Sequence, residues 1–235
     1  MAHCPWGDFG FELMIQMMSS FSIHCKAILF DLDGTLIDSA ARIRRLWQTW
    51  GERHGIEPET IFQVMHGRRA GEIIQRFAPH LNVENEIRDV ESDEISDMND
   101  VQAYAGALEL LNRLSAKQWA IVTSGSRQVA EARLRHVNFP IPSVFITSEK
   151  VNAGKPAPDG YLLAAQQLHV QPTECVVIED APAGVKAGKA AGMRVIAVVS
   201  THTRVELQEA DRIMQRLADL KLSKQRNEVI LRYQP

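Results

Sequence analysis

Phe30-Asp31-Leu32-Asp33-Gly34-Thr35-Leu36 follows directly on the apolar run 26–30, so two carboxylates stand two residues apart at the end of a short strand of the buried type. On extended backbone the side chains at i and i+2 point the same way. Both are therefore aimed at the carboxyl end of the sheet, where open α/β folds build their sites. Gly34 lets the chain turn sharply there. Two carboxylates in one crevice repel unless a cation or a proton separates them, and unequal surroundings split them into a charged nucleophile and a protonated acid. The plainer alternative is an Asp-Gly turn with a capping Asp.

Further apolar runs of strand length occur at 119–123, 144–147, 175–178 and 194–199, β-branched and apolar on both faces. Covered parallel strands read this way, and their alternation with helical patterns predicts an α/β fold, a doubly wound parallel sheet of the Rossmann-like kind. Helices are predicted over 159–169, introduced by Pro158, and 183–191, closed by Gly192. One interval breaks the rhythm. From the first strand to the second the chain reads almost wholly as helix, with Ile43, Leu46, Trp47 and Trp50 at helical spacing, punctuation at Pro58 and Gly71, and an acidic stretch over 84–100. A helical cap is predicted at 41–102, inserted into a core made of 24–40 and 103–235. Within that core 107–114 returns to a core-facing pattern, and a terminal strand is predicted over 227–233, paired with 220–222.

A chain of 235 residues with 45% hydrophobic content can bury a sizeable core. A formal net charge of -3 gives no general reason to bind nucleic acid or an anionic membrane, so any phosphate affinity is local. Cys4, Cys25 and Cys175 are too few and scattered for a disulfide framework, which suits a reducing compartment and makes cytoplasm the expected location. No apolar run approaches the roughly 20 residues of a membrane helix, and a monomer is the expected state. Residues 1–23 are apolar and Met-rich but carry Asp8 and Glu12 and no Lys or Arg, unlike a signal peptide. They read as a poorly ordered extension, or as an over-long start upstream of Met17 or Met18.

Three more segments carry chemistry. Ile121-Val122-Thr123-Ser124-Gly125-Ser126 runs a strand into small polar residues at a helix start, an anion-binding corner unless Ser126 is simply the N-cap of 127–136. Gly154-Lys155-Pro156-Ala157-Pro158-Asp159 fixes the backbone around one lysine, a stationary positive charge for a phosphoryl group unless it is an ordinary solvated lysine. Val177-Ile178-Glu179-Asp180-Ala181-Pro182-Ala183-Gly184 delivers acidic residues from another apolar strand, oxygen ligands of the kind Mg²⁺ prefers, although Asp180 alone reads equally as a helix cap. Nucleophile and acid, phosphate cradle, cation and metal ligands thus stand at separate strand ends of one sheet.

In this order the four motifs, Asp31/Asp33, Thr123, Lys155 and Glu179/Asp180, resemble those of the haloacid dehalogenase superfamily. The chain is more closely similar to its sugar-phosphate phosphatases, including the 2-deoxyglucose-6-phosphate and glycerol-phosphate phosphatases, with β-phosphoglucomutase a nearby relative. Asp33 matters, since dehalogenases of the superfamily lack an acid two residues after the nucleophile. His66-Gly67-Arg68-Arg69, leading into 73–77, is similar to the cap segment of the glycerol-phosphate and deoxyglucose-phosphate enzymes. The resemblance implies a phosphatase of small phosphorylated sugars or polyols in which Asp31 becomes an aspartyl phosphate and Asp33 protonates the leaving oxygen, then deprotonates water. It implies Mg²⁺ on the Asp31 carboxylate, the Asp33 backbone carbonyl and Asp180, with Glu179 nearby or coordinating. Thr123 and the Ser124 N–H would hold phosphate oxygens, and Lys155 would neutralise charge on the transferred group.

Arg68 and Arg69 are candidates to reach substrate when the cap closes, against the alternative of surface charges. His66 is a weaker candidate. Trp47 and Trp50 read as packing, Asp38 and Ser39 as helix-capping residues, and Cys175 as an inert buried thiol. Two other functions use the same core: a phosphomutase that returns the phosphoryl group to a sugar, and a catalytically idle module that binds a phosphorylated ligand.

Overall fold

The computed structural model describes residues 20–225 and 228–234. The first strands, β1 (Phe21–Cys25) and β2 (Ala27–Phe30), lie side by side in sequence but join different sheets. Every side chain of β2 is buried. It pairs in parallel with β5 (Trp119–Val122) on one side and β7 (Cys175–Glu179) on the other. Outside these lie β6 (Phe145–Ile146), β8 (Arg194–Val198) and β9 (Arg212–Met214), giving one six-stranded parallel sheet in the order β6-β5-β2-β7-β8-β9. The doubly wound α/β fold is therefore as the apolar runs predict; β9 is an addition, too short to carry a pattern.

Period-2 alternation sorts β2 onto two cores. Ile28 and Phe30 pack with Leu110 and Leu111 of helix α5 (Ala107–Arg113) and with Ala130 and Leu134 of α6 (Arg127–His136). Ala27 and Leu29 pack on the opposite face with Tyr161 and Ala164 of α7 (Asp159–Leu168) and Val185 and Ala187 of α8 (Pro182–Ala190).

Between β2 and β5 the chain leaves the sheet. It crosses at β3 (Ile37–Asp38) and returns at β4 (Gln102–Ala103), the two crossings paired antiparallel. Four helices occupy the excursion: α1 (Ala40–His54), α2 (Pro58–Phe62), α3 (Ala70–Phe77) and α4 (Val83–Ser96). They share an apolar cluster of their own, including Leu46, Trp47, Trp50, Ile61, Ile73, Ile74 and Val90. Trp47 and Trp50 pack edge to face at 5.5 Å. The acidic helix α4 is stapled to α1 by buried Arg42, whose Nε donates to the Asp97 carbonyl at 2.7 Å, one of the carbonyls a helix end leaves without an internal partner.

β10 (Leu220–Gln225) pairs with β11 (Glu228–Tyr233), Leu220 opposite Tyr233; Asn227 lies outside the described residues. The other edge of β11 takes β1, Phe21 opposite Tyr233 and Cys25 opposite Val229. This corrects the expectation for residues 1–23: Phe21, Ser22 and Ile23 belong to a paired strand, with Phe21 stacked on Tyr233 at 5.3 Å. Residues 1–19 lie outside the described residues. Among the described residues no helix is long and apolar enough to cross a membrane.

Candidate active site

Two strand ends of the parallel sheet meet around one lysine. β2 delivers Asp31, whose N–H donates to the Ile178 carbonyl at 3.0 Å. β7 ends in Glu179 and continues into Asp180. Lys155, on the loop before α7, is only 6% exposed and donates to Asp31 Oδ1, and to Glu179 Oε1 at 2.5 Å. Carboxylate oxygens of Asp31, Glu179 and Asp180 lie within 4.8 Å of one another. Glycines make room for this crowding. A Cβ on Gly34 would sit 2.1 Å from Asp180 Oδ2, and Gly34 has a φ of +89°; a Cβ on Gly184 would sit 1.6 Å from Glu179 Oε1.

Glu179 is thoroughly satisfied by protein. Besides Lys155, its Oε1 accepts from the Tyr161 hydroxyl at 3.0 Å, and its Oε2 accepts from the N–H groups of Asp180 and Ala181 at 2.9 and 3.0 Å. Asp180 instead faces hydroxyls, accepting from Thr35 at 3.2 Å and from Thr201. Burial raises the Asp31 carboxyl well above its ordinary pKa, an effect that Lys155 opposes and Glu179 adds to. Burial, reinforced by Glu179, pushes Asp180 up to about 7. For Lys155 burial opposes the charge, but Asp31 and Glu179 outweigh it and hold the pKa well above its usual value.

Three buried carboxylates against one ammonium leave an excess of negative charge that burial makes costly. Such an oxygen-only donor set fits a hard divalent cation, with Asp31 and Asp180 offering the freer oxygens. Without a cation, a folded pKa of about 7 for Asp180 against the ordinary 3.8 means that the native state binds more protons than the unfolded chain between those values. Stability should then fall as pH rises through that window. In chelator, thermal unfolding should give the lower midpoint at about pH 8 and the higher at about pH 5, and a reversed order would contradict the charge excess.

Asp33 sits apart from this cluster, held at both oxygens. Ser39 donates to Oδ1 at 2.7 Å, and Arg133 of α6 donates to Oδ2 at 2.7 Å. Ser39 thus departs from the capping role read in the sequence: it stands at the N-cap position of α1 but makes no side-chain cap bond. Asp38 does accept from the Ala40 N–H, at 3.3 Å.

A cavity of about 450 Å³ opens in front of Asp31 and Asp33. Its sheet side includes Thr123 and Ser124 and its helical side includes Trp47, Met65 and His66. Thr123 is buried, and its Oγ1 accepts from the Gly125 N–H at 3.0 Å. Ser126 caps α6, accepting from the Val129 N–H at 3.4 Å. Several contacts tie the helical unit over the sheet. Ser124 Oγ donates to the Gly67 carbonyl at 2.8 Å, and Arg69 donates to the carbonyls of Val151 and Asn152 at 3.0 and 3.2 Å. Arg68 also lines the cavity but is exposed and pairs with Glu72. His66 packs edge-on against His202, and burial lowers its pKa to about 4, so its ring is neutral near pH 7. Cys175 is buried, its thiol pushed up to about 12.

Asp31, Glu179, Asp180 and Lys155 therefore converge, with Asp33, Thr123, Ser124, Arg68 and Arg69 on the cavity wall. Unread in the sequence are the partners of these groups: Tyr161, Thr35, Thr201, Arg133 and Glu94.

A parallel sheet with acidic strand ends, a buried lysine and a helical unit above them defines a class of hydrolase, and residues 25–192 match the model of that family. The chain belongs to the haloacid dehalogenase-like hydrolases. It is 43% identical over 210 residues to hexitol phosphatase A of Escherichia coli, covering 87% of this chain and 97% of that protein. It is 35% identical over 192 residues to glycerol-1-phosphate phosphohydrolase 2 of Saccharomyces cerevisiae, covering 77% of each. Among solved structures it is similar to CbbY from Rhodobacter sphaeroides in complex with phosphate, with a TM-score of 0.74, 28% identity, and coverage of 83% of this chain and 96% of that one.

Proposed function

We propose that this chain is a phosphatase that hydrolyses small phosphorylated sugars or polyols through an aspartyl phosphate formed on Asp31. The observation that carries the reading is the buried convergence of Asp31, Glu179 and Asp180 on Lys155 beside a cavity that also holds Asp33. The cavity is of the size that encloses a small metabolite. The substrates in the names of the two relatives, hexitol and glycerol phosphates, support the polyol class.

An Asp31 carboxylate oxygen attacks phosphorus opposite the bond to the substrate oxygen. That bond breaks as Asp33 gives its proton to the departing alkoxide. Water then attacks the same phosphorus, yielding its proton to Asp33; the bond to Asp31 breaks, and inorganic phosphate and a free carboxylate result. Two displacements replace one difficult hydrolysis. Thr123 Oγ1 and the Ser124 N–H hold phosphate oxygens, and Lys155, kept in place by Glu179 and Tyr161, neutralises charge on the transferred group. The carboxylates of Asp31 and Asp180 and the Asp33 carbonyl, with Glu179 beside them, would hold Mg²⁺, which would offset the combined charge of nucleophile and phosphate.

The helical unit, residues 41–102, acts as a cap that excludes bulk water from the site. Arg69 fastens it to the loop preceding Lys155, while Arg68, exposed on the cavity wall and paired with Glu72, is a cap cation placed to meet the substrate. Cytoplasm is the proposed location and a monomer the proposed state.

A panel of sugar and polyol phosphates assayed for released phosphate tests the reading. Hydrolysis should disappear in exhaustive EDTA and return with Mg²⁺; full turnover in metal-free protein would refute the metal assignment. Isomerised hexose phosphate without free phosphate, followed by NMR, would make the enzyme a mutase instead.

A further inference from the structure

Arg133 has no part in the chemistry described above, yet it is the most completely enclosed arginine contact in the site. It lies on α6, is 3% exposed, and its guanidinium spans two carboxylates from different parts of the fold. One terminal nitrogen donates to Asp33 Oδ2 at 2.7 Å and the other donates to Glu94 Oε1. Glu94 belongs to α4, in the helical unit. Arg133 Nε has no hydrogen-bond partner among the described residues, so both anchors of this buried cation are carboxylates. Losing either leaves a buried charge short of a partner, a far larger cost than breaking a surface pair.

We propose that Arg133 is a positioning residue that couples the seating of the helical unit to the orientation of Asp33. The rigid fork geometry of a guanidinium makes this possible: both contacts come from one planar group, so a displacement of Glu94 is felt at Asp33. Ser39 holds the other oxygen of Asp33 from the N-cap position of α1, where the chain enters the helical unit. The carboxylate proposed to protonate the leaving group is thus gripped on both oxygens, by a guanidinium that also holds α4 of the helical unit and by the residue at which α1 begins. With the unit seated, Asp33 is presented to the cavity in one orientation; with it displaced, the grip is lost, and the first displacement lacks its proton donor.

The inference rests on the proposed role of Asp33 and is tested by leaving-group dependence. kcat/KM reports steps up to the first irreversible one, here transfer of the phosphoryl group to Asp31. An alkyl phosphate needs a proton on its departing oxygen, whereas p-nitrophenyl phosphate expels a stable phenolate and does not. Arg133→Met and Glu94→Gln should each lower kcat/KM for glycerol phosphate by about 10- to 100-fold and that for p-nitrophenyl phosphate by no more than about 3-fold. Arg133→Lys should recover part of the loss, since a point charge reaches one carboxylate but not both. If Arg133→Met does not fold, Arg133→Lys and Glu94→Gln carry the same comparison. A wild-type ratio of the two substrates in Glu94→Gln or in the folded Arg133 variant, including an equal loss on both, would overturn the proposal. Asp33→Asn separates the failures: if it shows the alkyl-selective loss while the Arg133 and Glu94 variants do not, the coupling alone fails. If Asp33→Asn lacks the selectivity, the assignment of Asp33 fails and the coupling with it.

Discussion

Asp31→Asn is expected to lower kcat/KM for an alkyl phosphate by at least about 10⁴-fold, while the thermal midpoint of the metal-free protein stays the same or rises. Activity falls because an amide oxygen is a poor nucleophile toward phosphorus and its adduct has no good route to hydrolysis. The fold survives because Asn keeps the shape and removes one of three negative charges crowded within 4.8 Å. Lys155 retains Glu179 as its partner at 2.5 Å. Burial already raises the Asp31 pKa well above normal, so the lost charge was one the native state held at a cost. Phosphate release and thermal unfolding examine the two halves separately. An active variant would remove Asp31 from the chemistry, and a melted one would refute the crowding argument.

Lys155→Met should damage stability most. The lysine is 6% exposed, donates to both Asp31 and Glu179, and lies 5.4 Å from the centre of the Tyr161 ring. Its ammonium is the cation those two buried carboxylates share, and a thioether of similar length supplies packing without charge. Leaving buried carboxylates unpaired costs about 3–5 kcal/mol. Activity should drop by about 10³-fold as well, because charge on the transferred phosphoryl group loses a fixed counter-charge. Denaturant unfolding in chelator at neutral pH measures the stability term; a change within about 1 kcal/mol, the size of a surface pair, would show that Lys155 does not hold the cluster together. Added Mg²⁺ should restore part of the lost stability, since it binds the same carboxylates in the native state.

The strand ends are legible in the sequence because each joins an apolar run to residues that a core excludes. Ala27–Phe30 leads into Asp31, Trp119–Val122 into Thr123, and Cys175–Glu179 into Asp180. Local patterning suffices for the parallel sheet, since every one of those strands is buried on both faces. Contacts closed by tertiary geometry are not legible in this way. Ser39 has the residue type and position of a cap, and nothing local says that its hydroxyl turns to Asp33 instead. Arg133 lies among Arg127, Glu131 and Arg135, a charged run that reads as a solvated face, and its partner Asp33 is 100 residues away. Glu94 is one acidic residue among many on α4. β1 did offer a signal, with Phe21, Ile23 and Cys25 buried and Ser22 and His24 exposed. The apolar stretch before it hides that alternation.

In the proposed mechanism phosphorus becomes attached to Asp31. Protein mixed with a polyol phosphate and Mg²⁺, quenched in acid during turnover and reduced with borohydride, can be mapped by peptide mass spectrometry. Residue 31, and no other acidic residue, should be converted to the alcohol that reduction of an acyl phosphate yields. Conversion at a different residue, or sustained turnover with an unmodified Asp31 under conditions that trap an acyl phosphate, would contradict it.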